Sequence, residues 1–133
     1  MAEERYLPLS EMAVPFHDVD MNGSMFLASY ITYAEAALEA FWSRRPTSGV
    51  EPHYTVSKVS LTIRRPLAHR DPVRFVPSVD KIGIHSVGFM VVAESRQETA
   101  AEIEIIWQSR DPDDGSFMAL PEETRDWLYG FLV

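Results

Sequence analysis

The sequence predicts an α+β domain in which an antiparallel sheet encloses one long helix. From Met25 to Trp42 only Glu35 and Glu39 are charged, and they lie one helical turn apart. After this run the hydrophobic period changes to two, and four consecutive segments alternate as strands do. Consecutive strands with short connections pair antiparallel, so the sheet should be antiparallel throughout.

The first strand is predicted before the helix. Met12, Val14 and Phe16 alternate with Ala13 and Pro15, and the proline should bend this strand or confine it to an edge of the sheet. With the four later strands this makes a five-stranded sheet.

The helix and the elements after it follow from similar local patterns. The run from Met25 to Trp42 is apolar on nearly every side, which is typical of a buried helix, and Pro46 prevents its continuation. Pro121, followed by Glu122 and Glu123, marks the start of a short closing helix. The four later strands centre on these alternating apolar side chains: Val59, Leu61 and Ile63; Val73 and Phe75; Val87, Phe89 and Val91; Ala101, Ile103, Ile105 and Trp107.

The composition is that of one globular domain spanning residues 1–133. With 46% hydrophobic and 24% charged residues, the chain is long enough to bury a core without disulfides. It has no cysteine, which excludes thiolate nucleophiles and fits a reducing compartment. The acidic start Met1–Arg5 precedes no apolar segment, and no run reaches the roughly 18 apolar residues of a membrane span. We therefore expect a cytoplasmic protein without a signal peptide or membrane partner.

The charge is uneven along the chain. The net charge of −8 argues against general binding of nucleic acid. Residues 58–81 are the exception, because they carry six basic side chains against two acidic ones. This basic segment is either a set of solvated strand faces or a surface for a small polyanion.

The turn Asp18–Gly23, directly before the helix, is the strongest candidate for chemistry. Its Asp-x-Asp-x-Asn-Gly pattern matches the opening of an EF-hand loop. The twelfth position of that loop is Ser29 instead of the bidentate Glu, and Pro15 is incompatible with an entering helix. Calcium binding is therefore not expected.

Two further interpretations of this turn differ in what they explain. A helix cap needs only one of Asp20, Asn22 or Ser24, so capping leaves further carboxylates unexplained. A carboxylate near a helix N-terminus can instead attack an acyl carbonyl or activate water, while helix N–H groups stabilise the oxyanion. The histidines, at positions 17, 53, 69 and 85, lack ligand-type spacing, so we expect no metal site.

The turn and the helix together carry a longer pattern. It reads Val14-x-Phe16-x-Asp18-x-Asp20-x-x-Gly23, followed by Ser29-Tyr30-x-x-Tyr33-x-Glu35-Ala36-Ala37. This pattern resembles the hotdog-fold acyl-CoA thioesterases of the 4-hydroxybenzoyl-CoA thioesterase type. The resemblance implies a hotdog fold, with a five-stranded antiparallel sheet wrapped around one long buried helix and no cofactor. It also implies a homodimer or homotetramer whose subunits join their sheets, with active sites at the interface.

The same resemblance implies roles for individual residues. Asp20 would act as nucleophile or general base on an acyl-CoA thioester, and the N–H groups near Gly23 and Leu27 would polarise its carbonyl. The implied substrate pocket contains Tyr30, Tyr33, Glu35 and Ser86. The implied contacts to the CoA phosphates come from Arg64, Arg65, Lys81 and His85.

Two alternatives stay open at the level of sequence. Relatives carry several basic residues where this chain has Gly83-Ile84-His85, so an acyl carrier protein is one alternative to CoA as the carrier of the acyl group. The other alternative is a hotdog protein that binds acyl groups or serves assembly without hydrolysis.

Overall fold

The computed structural model describes residues 11–47 and 49–133, and the order of its elements is the predicted one. The segment Met1–Arg5, on which the expectation of no signal peptide depends, lies outside the described residues. The elements are β1 (Met12–Ala13), α1 (Leu27–Trp42), β2 (His53–Ile63), β3 (Pro72–Ile82), β4 (Ser86–Ser95), β5 (Glu98–Arg110) and α2 (Glu122–Tyr129).

All five strands form one antiparallel sheet in the order β1-β3-β4-β5-β2. Helix α1 lies against β3, β4 and β5, and α2 lies against β3. The predicted α+β architecture is therefore confirmed. Most of the largest buried side chains come from α1 and from the inner faces of the central strands: Tyr30, Leu38, Phe41, Phe75, Phe89, Ile103 and Ile105.

Two predicted elements differ from the structure. β1 ends at Ala13, and Phe16–Asp18 form a 3₁₀ turn because Pro15 leads the chain out of the sheet. Helix α1 is buried on one face only, since Leu27, Glu35 and the residues around them are exposed. The long helix that the sheet was predicted to enclose is therefore present, and the face that carries Leu27 and Glu35 is open within a single chain.

The two edges of the sheet are covered to different extents. The β3 edge pairs with β1 at Pro72–Val73 and with Leu132 at Val79. Pro77, near the middle of β3, has no N–H to offer another strand. The opposite edge, β2, has no strand on its outer side within residues 11–47 and 49–133.

Strand β2 also exposes apolar side chains. Val56, Val59 and Ile63 are 48%, 37% and 37% exposed. Their partners Trp107, Ile105 and Ala101 on β5 are buried, so these β2 side chains project from the core face of the sheet. A long open edge with apolar side chains is typical of a strand that pairs with another chain.

The loop between β2 and β3 is held by Asp71. Its Oδ2 accepts a hydrogen bond from the Ala68 N–H at 2.8 Å, and its Oδ1 accepts one from Arg96 Nη1 at 2.9 Å. In the same loop, the Leu67 N–H donates to the Tyr30 hydroxyl at 3.0 Å. Asp71 therefore anchors a loop that contacts helix α1.

We expect Asp71→Asn to lower the free energy of unfolding by about 1 kcal/mol at pH 7, since the Ala68 N–H and the Arg96 guanidinium lose a charged acceptor. The Ala68 N–H, and then the exposed Arg96 guanidinium, hold the pKa of Asp71 below the usual 3.8. The stabilisation is therefore complete above about pH 4 and disappears as the pH falls through the folded-state pKa. Urea unfolding of wild type and of Asp71→Asn between pH 3 and 7 measures this stabilisation, with Asp126→Asn as the control. A difference between wild type and Asp71→Asn that is constant across this range would contradict the prediction.

Candidate active site

The turn from Asp18 to Gly23 lies against the start of α1. Val19 and Met25 form an antiparallel bridge that closes the turn, and the Met25 N–H donates to the Leu67 carbonyl at 2.7 Å. Gly23 has a φ of +84°, in the left-handed region that favours glycine. The turn is thus a closed structure with a fixed position relative to the helix and the β2–β3 loop.

Within this turn, Asp20 has one oxygen engaged and one free. Its Oδ1 accepts hydrogen bonds from the N–H groups of Asn22 at 2.8 Å and Ser24 at 3.1 Å. Its Oδ2 accepts no hydrogen bond from the described part of the chain, and the residue is half-buried. The backbone therefore orients the carboxylate while leaving Oδ2 available for chemistry.

Asp18 has both carboxylate oxygens engaged. Oδ1 accepts a hydrogen bond from Ser29 Oγ at 3.1 Å, and Oδ2 accepts one from the Tyr33 hydroxyl. Burial, and then the neighbouring Asp18, raises the pKa of Tyr33 to about 12, so its hydroxyl stays protonated and donates. Tyr33 was predicted in the substrate pocket; the structure instead directs its hydroxyl to Asp18.

Two N–H groups at the start of α1 are free. Neither the Leu27 N–H nor the Ala28 N–H donates to an acceptor among the described residues, and Phe26 at the N-cap offers no side-chain acceptor. Such groups, at the positive end of the helix, stabilise negative charge. The sequence interpretation named Leu27 but missed Ala28, although both belong to the same first turn.

Two predicted site residues are engaged elsewhere. The Gly23 N–H donates to the Asp20 carbonyl at 3.1 Å, so it is not free to polarise a substrate carbonyl. Tyr30 is 0% exposed, and its hydroxyl accepts a hydrogen bond from Leu67. Tyr30 therefore belongs to the core and not to a substrate pocket.

Glu35 lies at an open cleft of about 240 Å³ between α1 and the β2 edge. Along the helix axis it is about 12 Å beyond Leu27. The rings of Trp42 and Trp107 meet edge-to-face at 5.1 Å there. The other lining residues are Glu39, Tyr54 and Val56. The cleft thus combines aromatic walls with carboxylates, a lining suited to a flat apolar group that carries a hydrogen-bond donor.

The predicted phosphate-binding residues are not together in one chain. Arg64 and Arg65 lie where β2 ends, and they pair with Glu102 at 2.6 Å and with Glu98 at 2.8 Å. Lys81, His85 and Ser86 lie at the turn between β3 and β4. Along the strand direction the two groups lie about 20 Å apart, because the Arg64 N–H donates to the Ala100 carbonyl and Lys81 pairs through Gly88 with Ile106, six residues farther along β5. The His85 ring also stacks on Phe117 at 4.3 Å, a contact that the sequence did not indicate.

No family model and no curated protein sequence matches this chain. Solved structures match over nearly its whole length. A thioesterase from Thermus thermophilus, complexed with coenzyme A and Zn, is 21% identical with a TM-score of 0.80, covering 93% of this chain and 92% of that chain. A 1,4-dihydroxy-2-naphthoyl-CoA thioesterase from Synechocystis is 12% identical with a TM-score of 0.79, covering 93% and 96%. A predicted thioesterase from Bacillus stearothermophilus is 12% identical with a TM-score of 0.84, covering 96% and 97%.

The chain has the hotdog fold. The architecture that the resemblance implied is therefore confirmed. In this hotdog domain the Asp18–Gly23 turn lies at one end of α1, and the cleft at Glu35 lies farther along the same helix. None of the described helices is both long and apolar enough to cross a bilayer.

Proposed function

We propose that this hotdog domain hydrolyses acyl-CoA thioesters, with Asp20 as the catalytic carboxylate. The observation that carries the proposal is the Asp20 Oδ2, which its own turn leaves free just before the helix start, where the N–H groups of Leu27 and Ala28 have no acceptor among the described residues. The names of the Thermus thermophilus and Synechocystis proteins support a thioester as the substrate and CoA as its carrier.

The geometry suits two routes for hydrolysis. In both, the N–H groups of Leu27 and Ala28 stabilise the negative charge that develops on the thioester oxygen. Asp20 either attacks the carbonyl carbon, forming an anhydride that water hydrolyses, or takes a proton from an attacking water. In both routes the carbon–sulfur bond breaks, the thiolate takes up a proton, and water becomes part of the carboxylic acid.

A second copy of the chain completes the proposed site. His53 pairs with Arg110 and Ser86 pairs with Gln108, so the start of β2 lies at the same end of the sheet as Ser86. Antiparallel pairing of two β2 edges about a two-fold axis places this end of the second copy beside the Asp20 end of the first.

This pairing brings together groups that one chain keeps apart. The second copy's Ser86, Lys81 and His85 then face the Asp20 end, whereas Arg64 and Arg65 are already neutralised by glutamates. Lys81 and His85 are therefore the better candidates for the CoA phosphates. We place this dimer, or a tetramer of such dimers, in the cytoplasm, which the absence of cysteine supports.

The activity is tested by measuring thiol release from aryl-CoA, from short, medium and long acyl-CoA, and from acyl groups on acyl carrier protein. We expect turnover of CoA thioesters. Binding of acyl-CoA without release of thiol would instead establish an acyl-binding module. Hydrolysis only of acyl groups on acyl carrier protein would show that the carrier protein, and not CoA, is the carrier of the substrate.

The cleft at Glu35 leads to a prediction about the acyl group. For a hydroxylated aryl-CoA, we expect Glu35→Gln to lower kcat/KM about 10-fold, because a hydroxyl loses a charged acceptor worth about 1.5 kcal/mol. For the unsubstituted aryl-CoA the change should be less than about 2-fold. Glu122→Gln, on the exposed surface of α2, is the control. Equal losses of kcat/KM for both substrates would show that Glu35 does not recognise the hydroxyl group.

A further inference from the structure

We infer that Asp18 is a positioning residue which, through Ser29 and Tyr33, fixes the Asp20 carboxylate at the start of α1. The inference rests on the proposed function, since the group being positioned is the proposed catalytic carboxylate. In the sequence interpretation, the resemblance placed Tyr33 in the substrate pocket. In the structure, the side chains of Asp18, Ser29 and Tyr33 form one hydrogen-bonded group.

Asp18 accepts hydrogen bonds from three successive positions at the helix start. The Asp18 carbonyl accepts a hydrogen bond from the Phe26 N–H at 2.8 Å, and its carboxylate accepts hydrogen bonds from the hydroxyls of Ser29 and Tyr33. Ser29 and Tyr33 are four residues apart, so their hydroxyls lie on one face of α1, and Phe26 is the N-cap residue that precedes it. The Asp18–Gly23 turn is therefore hydrogen-bonded to the helix at its N-terminus and along its first two turns.

These contacts differ from ordinary helix capping. A cap residue accepts hydrogen bonds from free backbone N–H groups, whereas both Asp18 oxygens accept from side-chain hydroxyls. The N–H groups of Leu27 and Ala28 donate to no acceptor in the described part of the chain. The Asp18 side chain is only 16% exposed, while His17, 3.7 Å from its Oδ2, is 79% exposed. Asp18 thus accepts hydrogen bonds from two hydroxyls and leaves available the backbone N–H donors that the proposed reaction needs.

The position of Asp18 is transmitted directly to Asp20. Only Val19 separates the two, so their Cα atoms are at most about 7 Å apart. The Val19 N–H donates to the Phe16 carbonyl at 3.2 Å, and the Asp20 N–H donates to the Ser24 carbonyl at 2.8 Å. With both backbone groups fixed, a shift of Asp18 moves the turn as a unit, and a displacement of about 1 Å at a reacting group lowers rates about 10²-fold.

Removing either hydroxyl tests the inference. We expect Tyr33→Phe and Ser29→Ala each to lower kcat by about 10- to 100-fold on the best CoA thioester, with KM changed less than about 3-fold. Ser29→Thr keeps a hydroxyl and should retain kcat within about 3-fold. Tyr129→Phe, an exposed tyrosine on α2, is the matched control and should be unchanged. Unchanged kcat in both Tyr33→Phe and Ser29→Ala would overturn the inference.

A double variant separates positioning from independent effects. If Asp18 acts through Tyr33, then Asp18→Asn with Tyr33→Phe should lose no more than about 3-fold beyond the worse single variant. Losses that multiply would show that the two residues act separately and would overturn the inference.

A readout that does not need activity completes the test. The N–H groups of Asn22 and Ser24 report the order of the turn, because both donate to Asp20 Oδ1. Their hydrogen exchange should be at least about 10-fold faster in Tyr33→Phe than in Tyr129→Phe; equal exchange rates would contradict positioning. Full activity of Asp20→Asn would overturn the proposed function, and the exchange rates would then decide on positioning alone. An inactive Asp20→Asn with normal kcat in Tyr33→Phe and Ser29→Ala would overturn only the positioning.

Discussion

Replacing Asp20 by Asn is expected to lower kcat by at least about 10³-fold on every CoA thioester that the protein hydrolyses. The substitution removes the charge and the basicity of Oδ2, the oxygen that the turn leaves free. It keeps an oxygen that can accept hydrogen bonds from Asn22 and Ser24. The melting temperature should therefore stay within about 2 °C of wild type, so the loss reports chemistry and not unfolding.

The chain supplies a closely matched control for this variant. Asp111 uses its Oδ1 as Asp20 does, accepting hydrogen bonds from the N–H groups of Asp113 at 2.8 Å and Asp114 at 3.3 Å. Asp111→Asn should retain kcat within about 2-fold. If Asp20→Asn and Asp111→Asn have the same activity, Asp20 is a turn residue and its catalytic assignment is wrong.

The second large effect is expected at the open β2 edge. Val59→Asp places a charge on the exposed apolar face of that strand, where antiparallel pairing would bury it. We expect wild type to sediment at about twice the chain mass of 15.1 kDa and the variant to sediment as a single chain. We also expect kcat/KM to fall at least about 100-fold, because one chain leaves the site incomplete.

Two measurements show whether loss of folding causes the effects of Val59→Asp. Val133→Asp changes the same residue type at a more exposed position beside the other sheet edge, and it should leave mass and activity unchanged. For wild type, specific activity should fall on dilution at the concentrations where sedimentation shows dissociation. An active single chain, in either experiment, would show that the site needs no second copy.

The position of the candidate site along the chain was predictable because its pattern is local. Two carboxylates and a glycine directly before an apolar run mark a turn at a helix start, whatever the rest of the chain does. Which carboxylate stays free was not predictable. Asp18 is occupied by Tyr33, 15 residues away, and Asp20 only by its own turn.

Long-range contacts also decided where residues of the implied site lie. Tyr30 is in the core because its hydroxyl meets Leu67, 37 residues later, in the β2–β3 loop. Arg65 and Lys81 belong to one basic segment of the sequence, but a whole strand separates them. Proximity in sequence says little about proximity in space once a strand of 11 residues intervenes.

The sequence by itself determined the order of the elements, the antiparallel sheet and the turn that carries Asp20, since each depends on periodicity or turn chemistry within a few residues. Only the tertiary structure decided which Asp20 oxygen is free, that Asp18 is held by two helix hydroxyls, and that β2 is the open edge. Those features depend on contacts between distant segments, and a pattern of neighbouring residues does not specify such contacts.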